Sequence, residues 1–445
     1  MKEASVSARS DGRQSAAPVA DPLDRPRVPV HLRVGGLAIR VLVLAGLAVG
    51  FAYNLLGLPG LRDFGFYYRL DLDVYRLGGS VFLHGPTLYG SMPATQMGNF
   101  LPFTYPPLAA VVFSPLSTVS LATAGTVVTV LSLLALFGVL VVTLDSLGTA
   151  PRSTLVWTAL GALAVAMALE PVSSTLDYGQ INILLMLLVA ADCLPKKTPW
   201  PRGLLIGLAA AVKLTPAVFI LYFLVRKDFR AAVGTAISFL AFSAVGAIAT
   251  WNDSVTYWTH TLFDSDRIGT PAYPANQSIT GVLARLGLSD GMRTPVWLLL
   301  SVVVLGLVVV AMVRALRAGE TALALGLNAV LGLLVSPVSW SHHWVWSVPV
   351  VLVLGVLAYR RRSAALAVTA VVGVVVVRLA AHWKLGVGRW SGTHWNLWDQ
   401  FVASSYVWWG LAVVLVAIVA FRTRPAQPDE DGRSETSDDL TVPVG

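Results

Sequence analysis

The segment DLDVYRLGG at 71–79, followed by HGPTLYG at 84–90, comes just after the first long apolar run. It sets Asp71 and Asp73 beside the membrane. A carboxylate there is a functional candidate by default. Asp73 reads equally as a helix N-cap or as a support for its neighbour. FTYPPLAAVVFSPL at 103–116 places Tyr105, Pro106 and Pro107 at the head of a short interfacial helix, to shape an acceptor or lipid groove or to anchor the helix. Glu170 closes one apolar run, and Asp177, Gln180 and Asn182 open the next. At membrane depth such groups bind sugar hydroxyls or pair helices. Lys213 lies deep in apolar sequence and needs an anion, either a carboxylate of this chain or a bound phosphate. DSDR at 264–267 contributes Arg267, and Asn276-Gln277-Ser278 fits a glycosylation sequon, with Asn276 a candidate acceptor contact. His342 and His343 lie in SPVSWSHHWVW at 336–346. Adjacent residues on a helix point about 100° apart, and no HExxH or facial triad accompanies them. The pair therefore reads as phosphate or sugar ligands, or as packing in an aromatic belt, and no metal site is expected. Lys384, Arg389 and His394 among Trp383, Trp390, Trp395 and Trp398 suit a carbohydrate or headgroup surface, or equally an interface belt.

The elements that must carry these groups are membrane helices. Of 445 residues, 56% are hydrophobic and 13% charged, against roughly 25% charged in a soluble chain. Mean hydropathy is +0.70. The apolar residues fall in long runs, as at 127–144 and 298–313, and about 20 such residues cross the hydrocarbon. Alternating strand patterns are absent, which argues against a β-barrel. The net charge of +8 sits in short clusters at the ends of apolar runs, a topology signal rather than a nucleic-acid footprint. Cys193 is the single cysteine, so neither an intrachain disulfide nor a thiolate metal site is expected.

Basic clusters predict one path. Residues 1–34 form a polar cytoplasmic tail without a signal-peptide core, and 423–445 an acidic cytoplasmic tail, both disordered by composition. Between them, 35–422 make an all-α polytopic domain of about ten spans with re-entrant or interfacial helices. Large outer loops are expected at 57–118, 251–295 and 378–405. The stretch 203–225 is flanked by basic residues at both ends and broken at Lys213 and Pro216. It reads either as a re-entrant hairpin with both ends inside or as one kinked span. Polar and aromatic residues collect on the outer side. The cytoplasmic loops are short, and neither a P-loop nor a GxGxxG on a strand is present. An enzyme of this plan receives its activated substrate through the lipid. No internal repeat is visible, which weighs against a transporter built from inverted halves.

Taken together, DLDVY at 71–75, LPFTYPPLAAVVFSP at 101–115, GQINILL at 179–185, AAAVKLTPAVFILYFL at 209–224, NQS at 276–278 and SPVSWSHHWVW at 336–346 resemble polyprenol-phosphate-mannose-dependent α-(1→2)-mannosyltransferases of glycosyltransferase family 87. The resemblance implies a GT-C fold in the cell membrane with its active site on the extracytoplasmic face. It implies a polyprenyl-phosphate-mannose donor, no cofactor, and Asp71 as the catalytic base. Asp73 falls at a variable position of the motif and inherits no role. Lys213, Arg267, His342, His343 and Gln180 become candidates for the donor phosphate or sugar. Asp73, Tyr105, Glu170 and Asn276 become candidates for acceptor contact or support. DCLPKKTPWPRG at 192–203, YWTHTLFDSDRIG at 257–269 and SYVWW at 405–409 resemble the branch that adds α-(1→2)-mannose to lipomannan and lipoarabinomannan. The other branch acts on phosphatidylinositol mannosides. Outside the resemblance, transfer of another lipid-linked sugar such as arabinose, a lipid-linked-sugar flippase and a non-catalytic scaffold stay open. Lipids and a lipoglycan acceptor are the expected partners, with no role for nucleic acid. Oligomeric state is not set by the sequence.

Overall fold

The computed structural model describes residues 30–31, 36–56, 68–264, 268–385 and 395–422. Among the described residues the regular secondary structure is helical with one exception. The exception is a two-residue parallel pairing of β1 (Val30–His31) with β2 (Thr149–Ala150). That pairing ties the end of the amino-terminal tail to the inner turn beside Arg152, so 30–31 depart from the featureless tail expected there.

In chain order the helices are α1 (Leu37–Phe51), α2 (Leu70–His84), α3 (Pro107–Ser117), α4 (Leu121–Ser146), α5 (Arg152–Ala166), α6 (Glu170–Tyr178), α7 (Asn182–Cys193), α8 (Leu204–Val212) and α9 (Ile220–Val225). There follow α10 (Phe229–Ala249), α11 (Trp251–Thr259), α12 (Ile279–Arg285), α13 (Asp290–Arg317), α14 (Thr321–Val335), α15 (Ser347–Arg361), α16 (Ala364–Leu379), α17 (Leu397–Ala403) and α18 (Ser405–Ala420). Among the described residues six helices are long and apolar enough to cross a membrane, or eight if α5 with α6 and α17 with α18 are each one bent span. The expected total of about ten is reached only by adding α7 and α14. Their 12 and 15 residues cover only about 18 and 23 Å at 1.5 Å per residue. Both are walled by protein rather than lipid, α14 almost completely. Apolar sequence alone does not separate a short buried helix from a span. The lipid-facing helices differ in kind. On α10 Phe229, Val233, Ile237 and Leu240 are exposed, and on α13 Leu298, Leu299, Val302 and Val303. Helices apolar on all sides and bare on one belong in a bilayer.

The stretch 203–225 resolves into a hairpin. Helix α8 ends where Lys213 turns to extended backbone, and a 3-10 turn at Thr215–Phe219 leads back through α9. The two ends meet on one side. The Tyr222 hydroxyl donates to the Cys193 carbonyl at 3.4 Å. Asp192, at the end of α7, accepts from the backbone N–H groups of Gly203, Leu205 and Ile206 at 3.0–3.1 Å. Gly203 has φ of +93°, and a Cβ there would lie 2.3 Å from the Ala231 carbonyl at the start of α10. One corner, the inner one on the path expected from the basic clusters, therefore holds the end of α7, the start of α8, the end of α9 and the start of α10. Lys213 sits at the far tip, halfway into the protein.

Two cores fill the molecule. The larger joins α4–α7, α9, α12–α16 and α18. The smaller packs α2 and α3 against α4 and α8. In it the Tyr75 ring stacks on Phe113 with centroids 4.2 Å apart and meets Tyr105 edge-on at 5.0 Å. This rigid aromatic block holds the first turn of α2.

Candidate active site

Asp71 lies in the first turn of α2, one helical turn before Tyr75. Residues four apart on a helix share a face, so the carboxylate and the phenol point the same way. Between α6 and α7 the chain turns at Gly179, in the left-handed conformation with φ of +70°. A Cβ there would fall 2.6 Å from the Leu72 Cβ. Glycine thus lets Gln180 approach α2. Its Nε2 donates to Asp71 Oδ2 at 2.7 Å, and its Oε1 accepts from the Tyr75 hydroxyl at 2.5 Å and from Lys213 Nζ at 3.3 Å. Lys213 also donates to Asn182 Oδ1 at 2.9 Å and lies 5.6 Å from the centre of the Tyr105 ring. The Tyr105 and Tyr75 hydroxyls are 3.2 Å apart. Asn182 Nδ2 and the Thr175 hydroxyl both donate to the His342 carbonyl, at 3.1 and 2.8 Å. That pair fixes the 3-10 turn Ser341–Trp346, which carries both histidines.

These groups line one cavity of about 540 Å³. Asp71, Tyr105, Gln180, Lys213, His342 and His343 open into it, with an aromatic wall of Tyr178, Tyr257, Tyr273, Trp340 and Trp383. Asp71 Oδ2 is taken by Gln180, while Oδ1 accepts no hydrogen bond among the described residues, and Asp71 lines the cavity. Burial lifts the Asp71 carboxyl to about 6, against the opposing Gln180 hydrogen bond and Lys213 charge. Burial likewise raises the Tyr105 phenol, helped by the nearby Asp71 charge, so it stays a neutral hydroxyl. His342 Nε2 is buried without a hydrogen-bond partner. A second cavity of about 330 Å³ adjoins the first. Its lining is apolar, including Leu185, Met186, Val189, Phe219 and Leu333. Leu214, Thr215, Ser336, Pro337 and His343 border both. One compartment is polar and aromatic, the other oily, and a histidine stands at the junction.

Several sequence candidates fall elsewhere. Asp73 does not cap α2. It accepts from the Tyr68 hydroxyl at 3.1 Å and the Gln96 N–H at 2.8 Å and pairs with Arg76 at 3.6 Å, so it staples the outer loop. Glu170 is outside the cavity lining, and its carboxylate collects Ser341 Oγ, Trp383 Nε1 and the Tyr406 hydroxyl at 2.7–2.8 Å. It supports the cavity wall without facing the ligand. Asn276 is fully buried. Its side chain bridges the Pro271 carbonyl and the Ser339 N–H, both at 3.0 Å, so the sequon is a joint between loops and does not line the cavity. Gln180 borders the cavity, yet both ends of its amide are spent on protein. Arg267, Arg389 and His394 lie outside the described residues. Lys213 has neither anion offered to it in direct contact: among the described residues no ion pair reaches it, and its partners are the two amides. The aromatic wall was not legible, since five rings from four separate segments meet only in the fold. Tyr75 was not singled out either, although its spacing of four from Asp71 was a signal that could have found it.

The model of glycosyltransferase family 87 matches residues 103–337. A polyprenol-phosphate-mannose-dependent alpha-(1-2)-phosphatidylinositol mannoside mannosyltransferase of Mycobacterium tuberculosis is 46% identical over 388 residues, 84% of this chain and 89% of that protein. The chain belongs to glycosyltransferase family 87. A protein of the same description from Mycolicibacterium smegmatis is 43% identical over 90% of this chain and 96% of its own length. A pentamannoside-specific relative by description, also from M. smegmatis, is 38% identical over 75% of this chain and 78% of its own. No solved structure matches. This family 87 protein is thus a multi-span membrane glycosyltransferase. The matched segment carries Tyr105, Gln180 and Lys213, while Asp71 and the two histidines flank it.

Proposed function

We propose that this family 87 enzyme transfers mannose from polyprenyl-phosphate-mannose to the 2-hydroxyl of a mannose on a phosphatidylinositol mannoside, with inversion, from the extracytoplasmic face of the cell membrane. The observation that carries the reading is that Asp71, whose Oδ1 accepts no hydrogen bond among the described residues, lines a cavity with Lys213 and both histidines. Asp71 takes the acceptor proton as the 2-hydroxyl oxygen attacks the anomeric carbon. The new C–O bond forms as the bond from that carbon to the phosphate oxygen breaks, and the electron pair leaves with the phosphate. One carboxylate suffices because phosphate departs without a strong acid, unlike the paired carboxylates of glycosidases. Charge builds on the phosphate as the bond breaks and requires donors there. Two of the three Lys213 donors are engaged by Gln180 and Asn182, which leaves one for phosphate. His343, at the junction of the cavities, and His342 complete the set. The oily cavity accepts the first isoprene units of the donor, and the aromatic wall faces the acceptor sugar.

The acceptor follows the relatives' descriptions. Lipomannan and lipoarabinomannan remain the competing acceptors. Of the segments that resemble that branch, 192–203 lies at the inner corner, and only the one at 257–269 reaches the cavity, through Tyr257, Thr261, Leu262 and Ile268. Purified protein in nanodiscs, given polyprenyl-phosphate-mannose, tests the choice. A new α-(1→2) linkage on a phosphatidylinositol mannoside supports the proposal. Product only on a linear α-(1→6)-mannan moves the enzyme to the other acceptor. Product only from an arabinosyl donor overturns the donor assignment.

A further inference from the structure

The amide of Gln180 stands between two groups that would otherwise attract each other. Asp71 Oδ2, ionised, can only accept a hydrogen bond, and Lys213 Nζ can only donate. The chemistry of these neighbours fixes the orientation of the amide: Nε2 faces the carboxylate at 2.7 Å and Oε1 the ammonium at 3.3 Å. Tyr75 closes the third side at 2.5 Å, and Gln180 is only 3% exposed, so little water competes for it. Among the described residues no ion pair joins Asp71 to Lys213.

That separation has chemical content. A cation in direct contact lowers a carboxyl pKa by about 1–3 units and weakens it as a base. Direct pairing would also occupy the Lys213 donor that a phosphate needs. We propose that Gln180 is the positioning residue of the base: its amide pins Asp71 Oδ2 and holds the Lys213 ammonium off the carboxylate, so that Oδ1 alone receives the acceptor proton. The inference rests on the reading of Asp71 as base. The other groups around Asp71 are Tyr75 on its own helix, Tyr105 before α3, Tyr178 at the end of α6, Lys213 at the hairpin tip, and His342 and His343 on the 3-10 turn. Arg69, two residues earlier, spends its guanidinium on the Leu176 carbonyl and Thr129.

Gln180→Glu keeps the shape and puts a second carboxylate against Oδ2. Two carboxylates sharing one site raise the pKa of the pair, so the acid limb of kcat/KM against pH is expected to move up by about one unit or more. Gln180→Met keeps the volume and removes both hydrogen bonds. Its kcat is expected to fall roughly a hundredfold, the cost of about 1 Å of misplacement, and the KM for polyprenyl-phosphate-mannose to rise as Lys213 turns from the phosphate to Asp71. Monodispersity and the thermal transition in detergent confirm folding, and either variant decides alone if the other misfolds. An unmoved acid limb in Gln180→Glu, or wild-type kcat in Gln180→Met, overturns the proposal. Asp71→Asn run in parallel separates the two claims. If Asp71→Asn turns over normally, the base assignment fails and the role of Gln180 with it. If Asp71→Asn is inactive and the Gln180 variants behave as wild type, only the role of Gln180 fails.

Discussion

Asp71 shows how much one side chain depends on its neighbours. Burial, opposed by the Gln180 hydrogen bond and the Lys213 charge, lifts its carboxyl to about 6. A base must be ionised to accept a proton, so activity is lost as pH falls through that value. Below about pH 6, kcat/KM is expected to drop about tenfold per unit, and above it to level off; a pH–rate profile in nanodiscs checks this. Lys213→Met removes the cation and its open donor, and kcat is expected to fall about 100- to 1,000-fold, as when one preorganised donor is lost; single-turnover assays at saturating donor read it. Asp71 was legible because its motif stands beside the membrane and resembles a family signature. Glu170 was legible as a polar group at membrane depth that binds sugar or pairs helices, and Asn276 as a sequon in an outer loop, but the partners of neither were. Their partners lie 171 and 63 residues away, and sequence shows a buried polar group without showing what satisfies it.

The turns and the hairpin do the positioning, and each has a residue that tests it. Gly179→Ala puts a side chain into the left-handed region, which costs about 1–2 kcal/mol, and drives its Cβ toward Leu72. Gln180 would move off Asp71, so turnover is expected to fall more steeply than the thermal transition. Asp192→Ala gives the contrasting result. It strips three backbone N–H groups of their buried acceptor, for a loss of about 1–3 kcal/mol. The inner corner is remote from the cavity, so the surviving folded enzyme is expected to keep its kcat/KM within about twofold. The break at Lys213 and Pro216 was visible as a charge and a proline inside an apolar run. The choice between hairpin and kinked span was not, because it turns on the contact of Tyr222 with Cys193 and on the approach of Gly203 to α10.

In the molecule as a whole, helices of two kinds stand side by side, and only one kind meets lipid. The polarity of the loops allowed a path with chemistry on one face, and the structure gathers Asp71, Lys213 and the histidines into one cavity in keeping with it. Among the described residues six to eight of the expected spans, about ten, meet the length of the bilayer; α7 and α14 are as apolar but shorter. Cysteine labelling checks the path. In a Cys193→Ser background, Lys196→Cys and Lys227→Cys should both react with an impermeant thiol reagent from the inner side, and Gln96→Cys from the outer. Labelling of 196 and 227 from opposite sides would contradict the hairpin.

The most direct measurement is the rate of mannosyl transfer by purified wild type and Asp71→Asn protein, each with polyprenyl-phosphate-mannose and a phosphatidylinositol mannoside in nanodiscs. Loss of a general base costs about 100- to 10,000-fold, and a fall of that size, in a variant with an unchanged thermal transition, is the expected result. Turnover by Asp71→Asn at the wild-type rate would contradict the assignment of Asp71 as the base.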